Sequence, residues 1–140
     1  MGPDMKSSRL MAMVAGVLGG ENRYAVPCLR IWVHLAALDV PQRDRFQIIT
    51  ERLPGYLRFD PNYLDIDRDD GFLLIRITLS AGRTTDAKQV FYRRLAELLE
   101  ERTGMRTGNL AVVMVENERE DWSFGGGRAS YLELPRSAWR

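Results

Sequence analysis

The stretch that decides the fold is FLLIRITLSAGRTTDAKQVFYRRLAELLEERTGMRTGNLAVVMVE, residues 72–116. It opens with Phe72 to Leu79, a run of branched and aromatic residues that predicts a mostly buried β-strand. It closes with Leu110 to Glu116, which predicts a second strand of the same kind. A long amphipathic segment joins the two, so the stretch predicts a β-α-β unit with parallel neighbouring strands and a right-handed crossover.

The segment between these strands has the start, stripe and end of a helix. Thr84 or Thr85 is a good N-cap, and Gly104 is a plausible C-cap. Apolar residues at spacings of three and four predict one buried stripe, with charged residues on the opposite face. The stripe consists of Val90, Phe91, Leu95, Leu98 and Leu99.

The first half of the chain contains a fainter copy of this unit. Arg45 to Glu51 corresponds to the second strand, about 65 residues earlier. Leu10 to Ala15 would be the first strand and Leu29 to Leu38 the end of the first helix, although Pro27 interrupts that helix. Two such units predict one four-stranded sheet with two helices on one face. The other face stays apolar, which predicts self-association.

These patterns set the expected organisation of the chain. We predict a leader over 1–8, a single domain over 9–134 and a tail over 135–140. Within the domain we expect repeat one at about 9–51, repeat two at about 72–117 and a C-terminal hairpin at 121–134.

Composition limits the classes of partner and compartment. The chain has 140 residues and a net charge of +1, which favours neither nucleic acid nor an anionic membrane. Cys28 is the single cysteine, so we expect a reducing compartment, the cytoplasm. The apolar stretch from Leu10 to Gly20 could pass for a signal-peptide core, but Glu21, Asn22 and Arg23 follow it directly and disfavour that interpretation.

The segment between the repeats, Arg52 to Gly71, predicts a structured loop. Its aspartates lack the central glycine and terminal glutamate of a calcium-binding loop, so a solvated loop is favoured. No metal-ligand spacing occurs in the chain, and we expect neither a metal nor a cofactor. The lone histidine, His34, and Cys28 are interpreted as packed or surface residues.

Four stretches carry a resemblance to a known family. They are DVPQRDRFQIITE (39–51), LSAGRT (79–84), KQVFYRRLAELL (88–99) and VENEREDWSFGGGRASYL (115–132). Together they resemble the tautomerase superfamily, in particular the branch that includes malonate semialdehyde decarboxylase. The resemblance implies the two-repeat β-α-β fold, a homotrimer, and active sites near the start of the first strand.

The resemblance also exposes a departure at the position that carries the family's chemistry. Relatives use a proline at the mature N-terminus, whose secondary amine acts as a general base or acid once its pKa is tuned by its surroundings. An ungapped count from Asp44 puts Ser8 at that position. The nitrogen of Ser8 is an amide, so we expect no catalytic role for it. Pro3 is the only early proline and lies several residues ahead of the strand.

Other family positions are kept in part. Asp44 corresponds to an aspartate that orients or activates water in relatives, although a loop ion pair with a neighbouring arginine is an equal alternative. Arg83 corresponds to an arginine that binds the substrate carboxylate, the alternative being a turn or interface arginine. Ala81 stands where the decarboxylase has a second arginine, which argues against decarboxylation. Three aromatic residues fall on the pocket wall or, equally, in a subunit interface. These are Trp122, Phe124 and Tyr131.

The sequence leaves three functions open. The first is a tautomerase-superfamily protein without the proline base, inactive or weakly active on small 2-oxo or unsaturated carboxylic acids. The second is an active enol–keto tautomerase of the phenylpyruvate type, or a hydratase, using Arg83 and Asp44. The third is a non-catalytic oligomer that is structural or binds a small carboxylate. If the protein is an enzyme, an isomerase is favoured over a decarboxylase or dehalogenase.

Overall fold

The computed structural model describes residues 12–19, 46–52 and 56–138. Its strands are β1 (Ala12–Gly19), β2 (Phe46–Arg52), β3 (Leu73–Ser80) and β4 (Leu110–Asn117). Its α-helices are α1 (Thr85–Thr103) and the short α2 (Ser130–Glu133). Single turns of 3-10 helix lie at Tyr63–Asp65, Thr107–Asn109, Arg119–Asp121 and Arg136–Ala138.

The four strands form one sheet in the order β2-β1-β3-β4. β1 and β2 are parallel, β3 and β4 are parallel, and β1 and β3 are antiparallel at the centre. This arrangement confirms the predicted four-stranded sheet made of two consecutive units. The first strand, Ala12–Gly19, overlaps the predicted Leu10 to Ala15 and extends beyond its end, and Leu10 and Met11 lie outside the described residues. The predicted first helix, ending over Leu29 to Leu38, lies outside the described residues.

Helix α1 begins and ends at the caps that the sequence indicates. The Thr84 hydroxyl oxygen accepts a hydrogen bond from the Ala87 amide at 3.1 Å. Gly104 takes the left-handed conformation (φ 71°), which glycine adopts without strain, and terminates the helix. Phe91, Leu95 and Leu99, each four residues apart, are buried. Val90 was wrongly placed on this stripe: it is 45% exposed, because it lies about 100° around the helix from Phe91.

The core lies between α1 and one face of the sheet. Alternate residues of β3 are completely buried on this face. They are Leu73, Ile75, Ile77 and Leu79. The ion pair between Lys88 of α1 and Glu116 of β4 fixes the location of the helix, since Glu116 is the register partner of Leu79. Burial contributes about 1.5–3 kcal/mol for each of these large aliphatic side chains, so among the described residues the α1 face holds the main apolar core.

The opposite face of the sheet remains open. The strand register places Phe46 and Ile48 of β2 on this face, and they are 46% and 54% exposed. Val113 of β4, the register partner of Arg76, is 44% exposed on the same face. The exposed apolar face that the sequence predicts is therefore present in the isolated chain.

The loop between the repeats is held by ionic and amide contacts. Arg106 donates to the carboxylates of Asp67 (2.7 Å) and Asp69 (2.8 Å), and Asn109 exchanges two hydrogen bonds with Asp69. A hydrogen bond from the Gly71 amide, then those from Asn109 and Arg106, lowers the pKa of Asp69 below its ordinary value. Two of the aspartates in this loop thus share one arginine.

Residues 121–134, where we predicted a hairpin, contain no strand. The Trp122 carbonyl and the Phe124 amide are both bonded to Ser130, which closes a loop where a hairpin would have a cross-strand ladder. A 3-10 turn precedes this loop and α2 follows it. None of the helices within the described ranges has the length and apolar character that crossing a membrane requires.

Candidate functional site

Strands β3 and β4 end side by side, and this end of the sheet carries the predicted site residues. Ser80 and Asn117 are register partners at the last position of the two strands. Beyond them the Ala81 amide donates to the Asn117 carbonyl at 2.7 Å, which extends the pairing by one hydrogen bond. The turn 81–83 is therefore fixed to the end of β4.

Arg83 lies in this turn, with its side chain half-buried. Its Nη1 donates to the Ser80 carbonyl oxygen at 3.0 Å. Gly82, at φ 130°, allows the chain to fold back so that an arginine can reach a carbonyl three residues earlier. The contact holds a permanently charged guanidinium against the end of the sheet.

Trp122 is attached to the same strand end. Its indole Nε1 donates to Asn117 Oδ1 at 2.8 Å. Asn117 thus receives the turn that carries Arg83 on its backbone oxygen and Trp122 on its side-chain oxygen. Asn117 therefore links the cationic part of the site to the aromatic part.

Three aromatic rings surround Phe124. Trp122 stacks on it with a centroid distance of 5.5 Å and an interplanar angle of 11°, and Tyr131 meets it edge-on at 5.3 Å and 80°. Phe46, from β2 at the far edge of the sheet, lies 5.5 Å from it. These are the offset and edge-to-face geometries that aromatic pairs favour. Phe124 nevertheless remains 39% exposed, so the cluster presents an open aromatic surface.

The loop that carries Phe124 is closed at its base. The Ser130 amide donates to the Trp122 carbonyl at 3.1 Å, and the Phe124 amide donates to Ser130 Oγ at 3.0 Å. Between these bonds Gly125, Gly126 and Gly127 all have positive φ angles. The loop turns on its glycines and fixes Phe124 at its base.

The structure thus brings together four of the predicted site residues: Arg83, Trp122, Phe124 and Tyr131. Ala81 contributes only a methyl group to this region. Asp44 and Ser8, the other residues that we singled out for proton chemistry, lie outside the described residues, as do Pro3, Cys28 and His34. The described geometry provides a cation and an aromatic surface, which is a binding arrangement for a small organic anion.

Sequence reasoning missed several residues that hold the site together. Asn117 and Ser80 link its two halves, Ser130 closes its loop and Phe46 extends its aromatic surface. A signal was available for Asn117, because a polar amide follows directly on an apolar strand. No local pattern indicates Ser130 or Phe46, since each acts through contacts made across the fold.

Comparisons with known proteins agree on one family. The family model described as "Tautomerase enzyme" matches residues 44–125. The chain is similar to the probable tautomerase YrdN of Bacillus subtilis (strain 168), with 40% identity over 100 residues, which cover 71% of this chain and 77% of the relative. A solved structure of malonate semialdehyde decarboxylase is similar at a TM-score of 0.72 and 31% identity, over 86% of this chain and 95% of the other. A fused 4-OT symmetric trimer shares the fold, with a TM-score of 0.65, 16% identity, and coverage of 83% and 94%.

Proposed function

Because the chain belongs to the tautomerase family, we propose that its sheet-end site binds a small 2-oxo or unsaturated carboxylic acid and turns it over weakly or not at all. The observation that carries this proposal is the anchored guanidinium of Arg83, attached through Asn117 to the half-open aromatic cluster. A carboxylate at one end of the ligand and an unsaturated or aromatic group at the other match these two halves.

Arg83 suits the carboxylate for geometric reasons. A guanidinium has five N–H donors in a planar fork, and a carboxylate accepts two of them in parallel. Nη1 of Arg83 donates to the Ser80 carbonyl oxygen at 3.0 Å, and this contact fixes the orientation of the guanidinium. Because Arg83 is half-buried, its attraction for an anion is less screened than that of a fully exposed arginine.

Phe124 suits the rest of the ligand. Its ring is fixed by Trp122, Tyr131 and Phe46, while 39% of the residue remains open. A flat conjugated group of the kind present in an enol of phenylpyruvate would pack on this surface, with an attraction of about 0.5–1.5 kcal/mol beyond area burial. The fixed rings lose little entropy when such a ligand binds.

Weak turnover is proposed because of what stands at the position of the proton-transferring residue. The family's chemistry needs a basic amine, and Ser8 offers an amide nitrogen whose lone pair is delocalised. Asp44 would then be the proton acceptor or the residue that orients water. Ala81 offers no second cation, which favours enol–keto isomerisation over decarboxylation or dehalogenation.

We also propose that the protein is a homotrimer and that it works in the cytoplasm. The open sheet face exposes Phe46, Ile48 and Val113, and an isolated subunit would leave these apolar side chains in water. A relative with the same fold is a fused symmetric trimer. The single cysteine, Cys28, agrees with a reducing compartment.

The proposal is tested by following the conversion of phenylpyruvate enol to its keto form by ultraviolet absorbance. We expect slow or no conversion by the wild type. In either case the Kd of phenylpyruvate, measured by isothermal titration, should rise at least about tenfold in Arg83→Ala, as the loss of a charge-assisted contact requires. Arg93→Ala, which removes an exposed arginine from the outer face of α1, is the matched control and should leave both the conversion rate and the binding of phenylpyruvate unchanged. Fast conversion by the wild type that is abolished in Asp44→Asn would instead indicate an active tautomerase that uses Asp44. Equal Kd values in wild type and Arg83→Ala would reject the proposed carboxylate contact.

A further inference from the structure

The side chain of Ser80 has an unusual environment within the described part of the chain. Ser80 is 1% exposed, and its hydroxyl oxygen is buried without a hydrogen-bond partner. Among the described residues it is the only buried side-chain oxygen or nitrogen in this condition. A buried hydroxyl without a partner has lost its bonds to water and gained nothing in return, so its presence needs an explanation.

The alternation of β3 makes this burial more notable. Leu73, Ile75, Ile77 and Leu79 point to α1, so Ser80 belongs to the opposite, open face. Other β3 residues on that face, Leu74, Arg76 and Thr78, are half-buried or exposed. Ser80 is therefore the one position of β3 at which the open face is closed to water, and this position is the sheet end that carries the candidate site.

The backbone contacts of Ser80 place this residue between the two halves of that site. Its own carbonyl oxygen accepts the hydrogen bond from Arg83, and its register partner is Asn117, which holds Trp122. In the turn Ser80–Arg83, Ala81 has only a methyl group as its side chain and Gly82 has no side chain. The Ala81 amide is already bonded to Asn117. Ser80 and Arg83 thus carry the only polar side chains of this turn.

We propose that the Ser80 hydroxyl is a second ligand contact, donating its proton to the carboxylate that Arg83 binds. The inference rests on the proposed function and specifies how the acid is held, by one charged and one neutral donor from the same turn. The hydroxyl is buried in the free chain, so the groups that cover it must move aside when the acid binds.

The test compares Ser80→Ala with wild type in two measurements on the full chain. Isothermal titration with phenylpyruvate gives the Kd, and chemical unfolding without ligand gives the midpoint of the free protein. We expect the Kd of Ser80→Ala to rise about tenfold, as for the loss of a hydrogen bond to a charged group. The unfolding midpoint of the free protein should stay the same or rise, because a hydroxyl without a partner has been removed.

Thr78→Val is the matched control, since it removes a hydroxyl from the same face of the same strand and should leave the Kd unchanged. An unchanged Kd in Ser80→Ala, with weakened binding in Arg83→Ala, would overturn the inference and leave the proposed function standing. A lowered unfolding midpoint in Ser80→Ala would also overturn it, because the hydroxyl would then have its partner within the protein. Absence of binding by the wild type would reject both proposals together.

Discussion

The link between Asn117 and Trp122 makes a quantitative prediction about how the two halves of the site are joined. The indole Nε1 and Asn117 Oδ1 are 2.8 Å apart in a partly buried setting, and both groups are neutral. Such a bond contributes about 0.5–1.5 kcal/mol to the free energy of unfolding. Asn117→Ala removes the acceptor, and Trp122→Phe removes the donor but keeps an aromatic ring against Phe124.

The two variants and their double variant form a thermodynamic cycle that isolates this bond. We expect a coupling free energy of about 1 kcal/mol, since each single variant breaks the same bond and the second change adds no further loss of it. With a urea dependence of about 1–3 kcal/mol per molar, each single variant should unfold about 0.3–1 M earlier through this bond alone. Unfolding is followed by circular dichroism at one subunit concentration, because dissociation of an oligomer would make the midpoint depend on it. Strictly additive effects of the two changes would refute the link.

Three other predictions concern stability and assembly. Asp69→Asn should destabilise the protein at neutral pH. The pKa of the Asp69 carboxylate is lowered, chiefly by the Gly71 amide, so its contribution to stability is present above the ordinary value of 3.8 and is lost as the pH falls through the lowered pKa. The melting temperatures of wild type and variant should therefore converge at acidic pH. A difference in melting temperature that stays constant with pH would contradict this. Gly108→Ala should lower the free energy of unfolding in urea by about 1–3 kcal/mol, because its Cβ would lie 2.6 Å from the Asp67 carbonyl oxygen. An unchanged midpoint would show that the loop can move away from the added Cβ without cost. Ile48→Glu should dissociate the proposed trimer in light scattering, since it places a charge on the open face, and a variant that keeps the oligomeric mass would locate the interface elsewhere.

The second repeat was predictable from the sequence because its signals are local. Thr84 and Gly104 mark the ends of α1 through their own backbone preferences, and the structure confirms both caps. The period of the stripe correctly identified Phe91, Leu95 and Leu99, while Val90 was misplaced because a spacing rule does not fix the width of the buried stripe. Local chemistry thus determined where the helix begins and ends, and tertiary packing determined how wide its buried stripe is.

The candidate site was predictable only in part, since its cohesion comes from long-range contacts. Arg83 and the aromatic residues were identified through family resemblance, and the structure places them at one end of the sheet. The roles of Asn117 and Ser80 depend on the register of β3 with β4, which no single strand sequence specifies. The hairpin expected over 121–134 was wrong for a similar reason: the Ser130 hydroxyl competes for a backbone amide that a hairpin ladder would use.

A crystal structure grown with phenylpyruvate would show directly whether the end of the sheet is a carboxylate site. We expect the carboxylate within hydrogen-bonding distance, about 2.7–3.2 Å, of the Arg83 guanidinium. We also expect the aromatic ring of the ligand against the open surface of Phe124. Phenylpyruvate bound elsewhere, with Arg83 retaining only contacts to the protein, would show that the sheet end is not the carboxylate site.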